Sequence, residues 1–125
     1  MSVTFAPCVV IPCYNHGAMM PQVLARLRSC NLPCIVVDDG SDAPTRRVLE
    51  QLAAQEPGLT LIRLTENAGK GAAVIRGLQA AAAAGFSHAV QVDADGQHAI
   101  EDIPQLLALA QAHPAALISG RPVYD

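Results

Sequence analysis

Cys34-Ile35-Val36-Val37-Asp38-Asp39-Gly40-Ser41 sets an unbroken apolar run directly against two acids and a turn. A run this short, with no polar alternation, suits a strand buried on both faces. The same plan appears upstream, where Cys8-Val9-Val10-Ile11-Pro12 leads into Tyr14-Asn15-His16-Gly17. It appears again downstream, where residues 88–92 (His-Ala-Val-Gln-Val) lead into Asp93-Ala94-Asp95-Gly96-Gln97-His98. Residues 59–64 alternate more, as a strand near a sheet edge does, and 115–119 form a fifth candidate.

Between these runs the apolar period changes to that of a helix. Met20, Val23, Leu24 and Leu27 share one face of a helix predicted over 19–29, with Pro21 tolerated in its first turn. Asp42 is the candidate cap of a second over 44–55, with Pro44 just inside and Val48, Leu49 and Leu52 on one side. A third, over 69–84, combines Val74, Ile75 and Leu78 with an alanine run that permits close helix–sheet approach and stops at Gly85. The fourth, over 103–112, takes Asp102 as cap, Pro104 in its first turn and Leu106, Leu107 and Ala110 as its buried stripe. Strict alternation of strand and helix with short connections predicts an α/β fold, a mostly parallel sheet with helices on both faces.

The chain of 125 residues is long enough for one domain with a real core, and 51% of it is hydrophobic. With two Phe, two Tyr and no Trp, that core must be built from Ala, Val, Leu and Ile. A net charge of -3 and a pI near 5.7 leave no basic surface for a nucleic-acid backbone, so a nucleotide partner must be small. No apolar run approaches the ~20 residues of a membrane helix and the N-terminus lacks signal-peptide regions, which reads as a cytoplasmic segment. Membrane association, at the cytoplasmic face, then falls to regions of the full-length protein outside this chain. Cys8, Cys13, Cys30 and Cys34 lack the spacing of a zinc site, and reduced, mostly buried thiols are expected.

In an open parallel sheet, ligands bind beyond the carboxyl ends of the strands, and here those ends carry the polar clusters. Asp93 and Asp95 repel each other unless they share a cation or a donor-rich ligand, and Mg²⁺ or Mn²⁺ is the economical solution. With Ala94 turned away, both carboxylates can face one pocket. The plain alternative is a turn in which the acids cap backbone amides near Gly96. Asp38-Asp39 likewise reads either as a turn and helix cap or as a carboxylate that accepts a ring N–H of a base. Tyr14 reads as a wall residue and His16 as loop polarity. Asn67-Ala68-Gly69-Lys70-Gly71 lacks the earlier Gly and following Ser or Thr of a Walker loop, which leaves anion binding at a helix start or a flexible loop with a solvated Lys70.

Taken in order, Val-Val-Ile-Pro-Cys-Tyr-Asn, Val-Val-Asp-Asp-Gly-Ser-Asp, Asn-Ala-Gly-Lys-Gly-Ala-Ala-Val-Ile-Arg-Gly-Leu and Asp-Ala-Asp-Gly-Gln-His resemble the successive motifs of the inverting family 2 glycosyltransferases of the GT-A fold. The resemblance covers nearly the whole chain. It implies a Rossmann-like, nucleotide-sugar-binding half in which Pro12, Tyr14 and Val37 line the nucleoside pocket and Asp39 binds the base. It further implies that Asp93 contacts the nucleotide or sugar beside Ala94, that Asp95 is the main metal ligand with Gln97 a second, and that Arg121 meets phosphate. The Asp-Gly-Gln-His ending is similar to that of the polyprenyl-phosphate mannose and glucose synthases, although His16 stands where those usually carry Glu. The implied reaction is transfer of a sugar from a UDP- or GDP-sugar to a polyprenyl phosphate or a glycan.

A bound cation would stabilise charge on the departing nucleoside diphosphate, and an acceptor already carrying phosphate needs no general base. In the family the base and acceptor groove follow the stretch matched here, beyond Asp125. Residues 1–125 are therefore expected to bind donor without transferring sugar by themselves. Two other classes fit parts of the pattern. A receiver-type signalling domain shares the length and an Asp-Asp pair, but its pair follows the first strand and it needs a Lys after the fifth. A non-catalytic nucleotide-binding module keeps fold and pocket without the chemistry.

Overall fold

The structure is a computed structural model that describes residues 5–15, 17–94, 103–111 and 117–119. Five strands form one parallel sheet: β1 (Pro7–Cys13), β2 (Cys34–Asp39), β3 (Leu59–Leu64), β4 (His88–Gln91) and β5 (Leu117–Ser119). They lie in the order β3-β2-β1-β4-β5, with α1 (Met20–Leu27), α2 (Ala43–Gln55), α3 (Lys70–Ala83) and α4 (Ile103–Gln111) between them in sequence. The α/β reading and all nine elements are observed, with ends shifted by one or two residues. The half-buried, alternating β3 is an edge strand, as its pattern suggests.

The pleat of the central strands divides the core in two. Val9, Ile11, Cys13 and Val36 pack with Met20, Val23, Leu24, Leu27, Leu49 and Ile103 on one face, beneath α1, α2 and α4. Cys8, Val10, Ile35 and Val37 pack with Ala73 and Ala81 on the other, beneath α3. On this second face the apolar side of α3 differs from the expectation. Its buried stripe is Ala73, Gly77 and Ala81, and Ile75 is exposed. Ile75 stands two residues from Ala73, about 200° around the helix, so small residues cannot face the sheet without turning it to solvent. A Cβ on Gly77 would lie 2.5 Å from Val10 Cγ1, so the glycine sets how closely α3 can approach β1.

Local signals fix the helix ends. Asp42 Oδ1 accepts from Thr45 N at 3.0 Å, the expected cap of α2. That bond, with one from the Thr45 side chain, holds the Asp42 carboxyl below its ordinary range. Gly85 adopts φ +89°, and the N–H groups of Gly85 and Phe86 donate to Ala82 O and Ala81 O, closing α3 in a Schellman turn. After Leu27, α1 tightens into a single 3₁₀ turn over Arg28–Cys30, with Asn31 left-handed at φ 53°. Asp102, the proposed cap of α4, lies outside the described residues. Burial pushes the Cys8 thiol up to about 11 and that of Cys34 up to about 12, so both stay protonated and unreactive at neutral pH.

Candidate functional site

The strand order decides where a ligand can sit. From β1 the chain moves outward on one side through β2 to β3, then returns through α3 to β4 on the other side of β1. This reversal leaves a crevice at the carboxyl ends of β1 and β4. A cavity of about 250 Å³ occupies it, bordered by Pro12, Tyr14, Asp39, Asn67, Lys70 and Asp93. Residues from the ends of β1, β2 and β4 and from the start of α3 thus meet in one place.

Asp38 and Asp39 are both buried, and the pleat sends them to opposite faces. Asp38 Oδ1 accepts from Ser41 N at 2.9 Å, and Oδ2 accepts from Arg63 Nη1 at 2.8 Å across the β2–β3 register. Its work is structural. Ser41 Oγ in turn donates to Cys13 O and accepts from Asn15 N, while Asn15 Oδ1 accepts from Asp42 N at 2.8 Å. These bonds tie the β1 end to the β2 end and hold the left-handed Asn15, φ 57°, beside Tyr14. Tyr14 is 46% exposed and edges the cavity.

Asp39 faces the cavity and clamps the start of α3. Oδ1 accepts from Ala68 N at 2.7 Å, and Oδ2 accepts from Gly69 N and Asn67 Nδ2, each at 3.0 Å. A carboxylate at a helix N-terminus is favoured by the helix dipole and by the unpaired amides there. The amides of Ala68 and Gly69 therefore hold Asp39 and are not offered to an external anion. Three donors leave about one of the carboxylate's roughly four acceptor sites for a ligand. Gly40, at φ +70°, lets this loop close: a Cβ there would lie 2.5 Å from Asn67 N.

Across the cavity, Lys70 Nζ lies 2.6 Å from Asp93 Oδ1, and Gln91 Nε2 donates to the same oxygen at 3.3 Å. Sequence reading left Lys70 between two bland and functional alternatives because its partner is remote in the chain. The pairing follows once α3 crosses β1 and delivers its first residue opposite the β4 end. Asn67 was not singled out as a site residue; its sequence signal was its place in the Asn-Ala-Gly-Lys-Gly stretch, two residues before the helix-opening Gly69.

The sequence-predicted residues separate into three groups. Pro12, Tyr14, Asp39, Asp93 and Ala94 border one cavity. Val37 does not: it is fully buried against α3 near Gly77, because it sits two residues back from Asp39 on the same strand face. Asp95, Gln97, Arg121 and His16 lie outside the described residues. Among the described residues, no three His, Cys, Asp or Glu side chains converge as a metal-ligand set. Asp93 nevertheless suits a hard cation, since Mg²⁺ and Mn²⁺ take only one or two carboxylates with phosphate oxygens and water, and its Oδ1 already stabilises an ammonium.

The model of the glycosyl transferase family 2 matches residues 8–125. The chain belongs to that family. A polyprenol monophosphomannose synthase of Mycolicibacterium smegmatis is 35% identical over 116 residues, covering 90% of this chain and 44% of the relative. An undecaprenyl-phosphate mannosyltransferase of Micrococcus luteus is also 35% identical, covering 90% of this chain and 47% of that protein. The chain thus spans less than half the length of these curated relatives. Among solved structures, a mannosyltransferase from Pyrobaculum calidifontis in complex with GDP-Man and Mn²⁺ superposes with a TM-score of 0.60 at 27% identity. The match covers 74% of this family 2 chain and 28% of that one. No helix among the described residues is long and apolar enough to cross a membrane.

Proposed function

We propose that this family 2 chain binds a nucleoside-diphosphate sugar and a divalent cation for transfer of the sugar to a polyprenyl phosphate. The carrying observation is that Asp39, Lys70 and Asp93 meet in one cavity at the strand reversal, where a parallel sheet binds nucleotides. The nucleoside lies between Pro12, Tyr14 and the remaining acceptor site of Asp39. The diphosphate extends toward Lys70 and Asp93, and Asp95, Gln97 and Arg121 complete the cation and phosphate contacts. The names of the relatives support a lipid-phosphate acceptor, and the GDP-Man and Mn²⁺ of the solved neighbour make GDP-mannose with Mn²⁺ the first donor to test.

The cation supplies charge stabilisation at the departing diphosphate. The chain's own residues fix where that charge forms: the Asp39 clamp holds the α3 start, and the β1–β2 ties hold Tyr14. A phosphate acceptor brings a nucleophile that needs no base from residues 1–125. Calorimetric titration of GDP and UDP, with and without Mn²⁺, into wild type and Asp95→Ala tests this reading. Metal-dependent binding that Asp95→Ala weakens at least tenfold is expected. Binding indifferent to both metal and Asp95 would refute it.

A further inference from the structure

Lys70 and Asp93 come from opposite sides of the crevice, one at the first residue of α3 and the other just past β4. Their ion pair therefore spans the space a donor must enter. The Asp39 clamp on residues 67–69 fixes where Lys70 starts, leaving its side chain to supply the reach. Asp93 is 16% exposed and is a poor place for an uncompensated charge, whereas the Lys70 side chain is 43% exposed and can turn to water on its flexible stem. The pair is thus built from one fixed member and one movable member.

We propose that Lys70 is a built-in counter-ion that occupies Asp93 until the donor and its cation arrive, then exchanges onto the diphosphate. This rests on the donor-binding reading above. A divalent cation approaching Asp93 must displace the ammonium, so Lys70 opposes binding of the metal alone. When nucleoside diphosphate arrives with the metal, the displaced ammonium meets new negative charge in the same cavity, so Lys70 favours the ternary complex. The exchange makes cation and nucleotide bind better together than apart. A lysine that only shapes the loop would move both affinities in one direction.

The test uses Mn²⁺ alone, followed by loss of the free-ion electron-paramagnetic signal, and GDP or UDP with Mn²⁺ by calorimetry. Wild type, Lys70→Gln and Lys70→Arg are compared, the last keeping the charge as a control for folding. Lys70→Gln is expected to bind Mn²⁺ alone about fivefold tighter and the Mn²⁺–nucleotide pair about fivefold weaker, the upper range for a partly exposed ion pair. Lys70→Arg is expected to stay near wild type for Mn²⁺ alone. If wild type takes up nucleotide with Mn²⁺ but Lys70→Gln binds Mn²⁺ alone no tighter, the counter-ion role is overturned and the donor site stands. Tighter Mn²⁺ binding without weaker nucleotide binding overturns the exchange. Wild type that binds neither nucleotide with Mn²⁺ overturns the donor reading and this inference with it.

Discussion

The two ends of the sheet each carry a hollow, and they differ in chemistry more than in size. At the amino end, a cavity of about 320 Å³ lies among Leu24, Leu27, Leu32, Pro33 and Leu59, with an Arg28–Glu56 ion pair at the surface. At the carboxyl end, the smaller cavity of about 250 Å³ brings together Asp39, Lys70 and Asp93. The larger hollow is a by-product of α1 ending in a 3₁₀ turn over apolar strand starts. The smaller one lies where the strand order reverses, and Asp39, Asn67, Lys70 and Asp93 around it are each bonded to a residue from another strand or helix end. Volume alone would choose the amino end. Origin of the lining residues, and what fixes them, chooses the carboxyl end.

If this contrast is correct, changes at the amino end move stability and leave ligand binding alone. Leu27, at 3% exposure, fills the core above that hollow, and Leu27→Ala should cost about 3 kcal/mol in urea denaturation. The folded protein should bind nucleotide with wild-type affinity. At the other end, Asp39→Ala strands the loop amides it clamps and should cost about 2 kcal/mol. In contrast to Leu27→Ala, it should also weaken nucleotide binding at least tenfold by calorimetry. Equal effects of the two substitutions on binding would erase the distinction between the ends.

The thiols sharpen the comparison through pH. Cys8 and Cys34 have folded values near 11 and 12, above the ordinary 9.0, so the folded state holds these protons more tightly. The stability this gives is present in full below pH 9 and is lost as pH rises through 11 to 12. Each thiol contributes a slope approaching ~1.4 kcal/mol per pH unit in that window, which denaturation midpoints between pH 8 and about 11 would reveal. Cys34→Ala should flatten the profile. The smallest effect belongs to the surface pair of the amino end: Glu56→Gln should change stability by less than about 1 kcal/mol, since Arg28 is largely exposed.

Much of this was legible in the sequence because it is local. Short apolar runs that lead into polar turns placed β1, β2 and β4, Asp42 and Gly85 marked helix ends, and the residues at or just past the ends of those three strands named most of the cavity wall. The pleat explains why Asp39 and not Asp38 reaches it, and also why Val37 does not. Hydrophobicity misled at Ile75, where a stripe of small residues, not the bulkiest ones, faces the sheet. The Lys70–Asp93 pair was beyond a linear reading, because it depends on which strand α3 crosses. So was the role of Asn67, which is set by the closure of its loop over Gly40.

The most direct measurement is amide chemical-shift mapping of the protein with Mg²⁺ and GDP or UDP. Shifts at Tyr14, Asp39, Asn67, Lys70 and Asp93, with Leu27, Leu32 and Gly58 silent, are predicted. Shifts concentrated at Leu27, Asn31 and Gly58 would place the ligand at the opposite end of the sheet and contradict the account.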